Sequence, residues 1–147
     1  MKRFLQDTAM DDFLKYSFQY NVKIFGLPEQ DEHESVETTR QLCLKLFHSI
    51  GAEGVMKNDI DIAHRLNSRR SDSHYPRPIV CKFIRRLAKE EVMAHRNETS
   101  NLNPDDLHLS ADFHTENIRI HEHLIPRLQQ LLSQANKLKS KKLEKRY

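Results

Sequence analysis

Between Asn21 and Phe25 apolar and polar side chains alternate, and Gly26-Leu27-Pro28 ends the run. A period of two with a hard stop predicts a half-buried strand over about residues 21–27. Further along, Pro76-Arg77-Pro78-Ile79-Val80-Cys81-Lys82-Phe83-Ile84-Arg85-Arg86 repeats the pattern inside a cluster of positive charge. Between the two, Ser35 is suited to cap a helix in which Val36, Thr39, Cys43, Leu46, Phe47 and Ile50 recur at helical spacing until Gly51. A chain whose period changes from 2 to 3.6 and back must lay helices against a sheet.

The remaining elements extend that frame. Asp59 to Leu66 alternates and predicts a second strand, and the basic loop from Asn67 to Tyr75 leads to the third at Ile79–Ile84. A second helix follows from Ala88 to about Asn97, with Val92 facing inward. After the turn chemistry of Asn103-Pro104, Leu107-His108-Leu109-Ser110-Ala111 predicts a short last strand. From Thr115 the spacing of Ile118, His121, Ile125, Leu128, Leu132 and Ala135 predicts a helix, kinked by Pro126. Residues 1–18 carry an apolar helical stripe too short to stand alone in water. The expected fold class is α+β, a ferredoxin-like βαββαβ sandwich with a four-stranded antiparallel sheet and both helices on one face. The expected divisions are an N-terminal helix over 1–20, the sheet domain over 21–113, and a C-terminal helix with basic tail over 114–147.

Charge is unevenly placed. From Arg65 to Arg96 nine Lys/Arg stand against three Asp/Glu, and from Arg119 to Tyr147 eight stand against two, although the whole chain is only +3. Glu29, Asp31, Glu32, Glu34 and Glu37 form an acidic patch. Such polarisation favours a polyanionic partner, with solvated helix and loop faces as the plainer alternative. Cys43 and Cys81 sit among apolar residues and are expected to be buried free thiols, in keeping with a reducing compartment. No run reaches the length of a membrane span, and the first residues lack the apolar core of a signal peptide. His121-Glu122-His123 lacks the i, i+4 spacing of a helical zinc site, and only three glycines are present, too few for a phosphate-cradling loop. Neither an enzymatic activity nor a metal or other cofactor is expected.

Several short motifs occur in an informative order. Tyr16-Ser17, then Asn21 through Glu29, then Asp61-Ile62-Ala63-His64-Arg65-Leu66, then Arg77 through Phe83, then Ser110-Ala111-Asp112-Phe113, and finally Arg127 and Ala135-Asn136-Lys137 span about residues 12–140. In these the chain resembles the first open-reading-frame protein of LINE-type (non-LTR) retrotransposons; the baculovirus few-polyhedra protein is similar over much of the same stretch. The resemblance implies a variant RNA-recognition domain between a trimerising coiled coil and a small C-terminal domain. It further implies single-stranded RNA or DNA binding with nucleic-acid chaperone activity, in a ribonucleoprotein particle that is cytoplasmic or nuclear. On this alignment residues 1–20 are the last turns of the coiled coil, and residues from 114 onward begin the C-terminal domain. Two departures bear on affinity. Phe18-Gln19-Tyr20 stands where relatives carry a basic run, and His121-Glu122 stands where mammalian relatives carry two arginines.

Recognition strands of this type normally stack bases on aromatic side chains. Here Val22, Ile24 and Leu27 take the core places of the first strand and Lys23 the stacking place, while Lys82 is expected beside it on the third strand. Binding is then led by phosphate contacts, weakly specific and strongly salt-dependent. The candidate contacts are Lys23, Arg65, Arg69, Arg70, Arg77, Lys82, Arg85, Arg86, Arg119, Arg127 and Lys137. For Arg85 and Arg86 a structural role, capping the next helix or pairing with Glu90, is an equal alternative. For the whole chain the alternatives are a protein-interaction or oligomerisation module, and a degenerate element copy.

Overall fold

In a computed structural model of the chain, residues 20–67 and 75–123 are described, together with Gln134, Lys137 and Leu138. The chain divides into a unit spanning Gln19–His123 and a second formed by Met1–Phe18 with Leu124–Tyr147. In the second unit Gln134, Lys137 and Leu138 are helical and exposed. The helix expected over 1–20 falls, apart from Tyr20 in a turn, outside the described residues, as do Arg69, Arg70 and Arg127.

The alternation at Asn21–Phe25 is strand β1, with Val22 and Ile24 fully buried. Helix α1 runs Val36–Ser49. The Ser35 side chain accepts from the Thr38 N–H, satisfying one of the orphan donors of the first turn, and Gly51 at φ 105° ends the helix in a conformation costly for any other residue. Leu42, Cys43, Leu46 and Phe47 form the buried stripe, while Val36 is half exposed. Strand β2 is Ile60–Arg65, β3 is Ile79–Phe83, α2 is Arg86–Ala94 and β4 is Arg119–Glu122. Short 3-10 turns join them.

The architecture is α+β with a four-stranded antiparallel sheet whose neighbours run β2-β3-β1-β4. Both helices pack on one face. There Phe47 of α1 meets Phe83 of β3 with ring centroids 5.5 Å apart, and Ala88 and Val92 of α2 join the same core as Ile24, Ile79 and Ile120. Both cysteines are free and buried, and burial, reinforced by the hydrogen bond with Cys43, pushes the Cys81 thiol well up, so it stays protonated.

The last strand lies elsewhere than expected. Leu107–Ala111 is not a strand. Asn103 caps a 3-10 turn at Pro104–Leu107, accepting from the Asp105 N–H, and His108 follows in the left-handed region at φ 57°. Proline at the first helical position lacks only an N–H that would go unpaired there, so this segment closes its hydrogen bonds locally and offers no ladder. Instead β4 forms at Arg119–Glu122, where the spacing predicts a helix; only Thr115–Asn117 makes a single 3-10 turn. Ile118 and Ile120 are buried two residues apart with Arg119 and His121 exposed, a strand's period, and β1 supplies the edge to pair with. The sheet unit therefore runs to His123 rather than ending at 113.

One glycine permits a close backbone approach beside the β1–β4 pair. Gly26 leaves β1 at φ 78°, and a Cβ there would collide with the Asn117 carbonyl at the approach to β4. Gly26→Ala is expected to cost at least about 2 kcal/mol, from left-handed strain plus the backbone clash. A chemical-denaturation midpoint equal to that of the wild type would contradict this close approach.

Candidate functional site

The open face of the sheet, turned away from α1 and α2, carries three rows of side chains, fixed by the strand pairings. His64, Val80, Lys23 and His121 stand opposite one another across all four strands. Ile62, Lys82 and Asn21 form the next row, and the His123 N–H donates to the Asn21 carbonyl at its end (3.4 Å). On the other side Phe25 stands opposite Arg119. Lys23 and Lys82 thus share the open face, as alternation predicts.

Two aromatic groups accompany them. The Lys23 ammonium lies 5.1 Å from the centre of the Phe25 ring, and Phe25 meets His121 edge-on with centroids 5.6 Å apart. Phe25 follows Lys23 by two residues on the same strand face, so the alternation that places one also places the other. His121 is legible only once residues 119–122 are recognised as a strand. The His123 imidazole is held below its ordinary pKa by burial first, then by the positive charges of Lys23 and His64. Against these cations, among the described residues, Asp61 lies 3.9 Å from Lys82 with both side chains half exposed, a pair worth little in water.

Arg65 is not on this face. The β2–β3 pairing shifts between Ile60 and Ile62, so Asp61 bulges out and every later residue of β2 changes side. Ile62 and His64 turn to the open face, and Ala63 and Arg65 turn inward. The Arg65 side chain is 3% exposed and all five of its N–H donors are used. Nε and one terminal nitrogen donate to the two oxygens of Glu34 (3.1 and 3.2 Å), and the others reach the carbonyls of Leu27 (2.6 Å), Arg77 (2.8 Å) and Pro28 (3.0 Å). Glu34 also accepts from Thr39 Oγ1 and from the Gln30 N–H. Burial alone would raise the Glu34 carboxyl, but the hydrogen bonds from Arg65, Thr39 and Gln30 outweigh it and hold the group below the usual carboxylate range.

Three other candidates are paired with acids. Arg77 Nε donates to Glu29 (2.6 Å), which lowers the Glu29 pKa and raises that of Arg77. Arg85 grips Asp59 through two hydrogen bonds (3.0 and 3.1 Å), and Arg86 lies 3.4 Å from Glu90 on the next turn of α2. Arg86 makes the pair with Glu90 that the structural alternative describes, whereas the Arg85 side chain makes no cap hydrogen bond and holds Asp59 instead. Arg119 is exposed and makes no ion pair among the described residues. Lys137 is exposed on the helix of the second unit.

Among the described residues no group of three or more His, Cys, Asp or Glu is arranged to hold a metal ion, and no helix is long and apolar enough to cross a membrane. In comparison with known proteins, no protein-family model matches the chain and no curated protein matches it.

Glu34→Gln leaves a buried guanidinium without its counter-charge and is expected to cost about 3–5 kcal/mol at neutral pH. Because the Glu34 pKa is depressed by folding, that stability is present above the unfolded carboxylate value and is lost as pH falls through the folded one. The difference between wild type and variant should therefore shrink below about pH 4. Denaturation curves at several pH values check this; a gap that persists unchanged at pH 2 would refute the linkage.

Proposed function

We propose that the chain is a sequence-nonspecific single-stranded RNA- and DNA-binding protein related to the first open-reading-frame proteins of LINE-type retrotransposons, acting as a chaperone within a ribonucleoprotein. In this reading the sheet is of the ferredoxin-like, RNA-recognition type, and the chain has no catalytic role. The observation that carries it is the charge, among the described residues, of the sheet face turned away from α1 and α2, where Lys23, Lys82 and Arg119 stand with three imidazoles against Asp61. An antiparallel sheet with both helices on one side leaves its other side for a ligand. The order of the short motifs supports the same reading. The trimer that the resemblance implies would involve residues 1–20, all but Tyr20 outside those described.

Phosphate-led binding follows from what the face presents. Lysines on adjacent strands neutralise phosphates without reading base edges, so affinity falls steeply with salt and differs little between sequences. Lys23→Ala combined with Lys82→Ala should weaken binding of every oligonucleotide alike. The slope of log affinity against log salt should fall by about 1.4, because two phosphates of a single strand are no longer neutralised. Fluorescence anisotropy across a salt series checks it. An unchanged slope would remove the sheet from the mechanism, and absence of binding at low salt would favour the protein-interaction alternative.

His123 adds a pH dependence. Burial, Lys23 and His64 disfavour its charged form in the free protein, and a bound phosphate favours that form. Binding should therefore take up a proton, and affinity should rise as pH falls from about 7.5 to 5.5. His123→Gln should flatten that rise in the same anisotropy assay; a rise of undiminished size would assign it to other groups.

A further inference from the structure

Where β1 ends, the open face runs into a groove of about 750 Å³ bordered by Phe25, Tyr75, Pro76, Arg77, Phe113 and Arg119. Its size falls in the range of roughly 300–1,000 Å³ in which small organic ligands are held. We propose that this groove receives an unpaired nucleobase of a strand whose phosphates lie along the open face. The inference rests on the function proposed above and adds to it a base-binding site distinct from the stacking place that Lys23 holds.

Three features fit that occupant. The groove walls bring together aromatic and proline rings from three separate segments, the end of β1, the lead-in to β3 and the turn before β4. Planar rings offer stacking surface that every base can use, whatever its edge. Tyr75 is 86% exposed, so its ring can be reached from solvent. Second, the charge is complementary. Arg77 is already paired with Glu29, whereas Arg119 stands beside the groove with no ion pair among the described residues and can take the phosphate of the seated nucleotide. Third, Phe25 borders the groove and also belongs to the open face beside Lys23, so one strand of nucleic acid passes from the lysines to the groove without leaving the surface. An apolar peptide would gain nothing from Arg119, and a duplex would keep its bases out of reach.

The test uses the full 147-residue chain and two oligonucleotides of equal length, one bearing bases and one abasic throughout. The base-bearing strand should bind roughly 5- to 150-fold more tightly, the span expected from stacking one base. A 2-aminopurine placed in it should be quenched on binding, and with no tryptophan in the chain its emission can be read directly. Tyr75→Ala, at an exposed position, should remove most of the preference and of the quenching while leaving the salt slope intact. Equal affinity for the two strands with the salt slope retained would overturn the groove and leave the phosphate-led reading standing. A base preference untouched by both Tyr75→Ala and Phe25→Leu would also overturn it, placing the base elsewhere. Failure to bind either strand at low salt would sink the underlying reading itself. Self-association abolished by Tyr75→Ala, without any base preference, would assign the groove to a second copy of the chain and likewise overturn the proposal.

Discussion

The sheet unit is organised around the buried pair of Arg65 and Glu34. The guanidinium ties four segments at one point: the end of β2 that bears it, the exit of β1 through the Leu27 and Pro28 carbonyls, the lead-in to β3 through the Arg77 carbonyl, and the start of α1 through Glu34. Taking two charges out of water costs several kcal/mol per ion, and their attraction offsets this only when the remaining donors and acceptors are also satisfied. That condition is met here. Each N–H of Arg65 has an acceptor, and each oxygen of Glu34 accepts twice. The acidic loop before α1 is tied to the end of β2 by this pair, one residue ahead of the Ser35 that caps the helix.

That pair also decides what is left for a ligand. Along the chain, a basic stretch from Arg65 and an acidic patch from Glu29 to Glu37 look like two surfaces of opposite sign. Folding brings them together. Glu34 takes Arg65, Glu29 takes Arg77, and Glu37 lies beside Arg40 and Lys57. Among the described residues part of the apparent polarisation is therefore internal pairing, and the cations left on the open face of the sheet are Lys23, Lys82 and Arg119. A smaller, better defined cationic surface results than the number of basic residues implies.

Periodicity makes β1, α1 and β3 legible, because each buries one face and the burial imposes the period. It does not show the bulge at Asp61. A single unpaired residue inverts the rest of β2, and neither glycine nor proline marks the place. Strict alternation continued through it puts Arg65 on the wrong side. The last strand is misplaced for a different reason. Leu107-His108-Leu109 and Ile118-Arg119-Ile120 carry the same local pattern; local closure at Asn103-Pro104 and the edge of β1 decide between them. The candidate cations divide in the same way. Lys23 and Lys82 follow from alternation alone. The partners of Arg65, Arg77 and Arg85 lie 31, 48 and 26 residues away, beyond any local pattern.

The arrangement of Lys23 and Phe25 bears on whether losing the usual stacking residue removes base contacts altogether. Two residues apart on one strand face, they place an ammonium beside an aromatic ring rather than substituting one for the other. An exposed cation–π contact is worth about 0.5–1 kcal/mol, and stacking of a base about 1–3 kcal/mol. The lysine therefore does not hold the ring against a base, and once a phosphate is near, its ammonium has a stronger electrostatic partner than the ring's quadrupole. In the proposed reading, charge on this surface brings a strand in, while the rings at the end of β1 act only on a base already unpaired. A single strand satisfies both conditions and a duplex only the first.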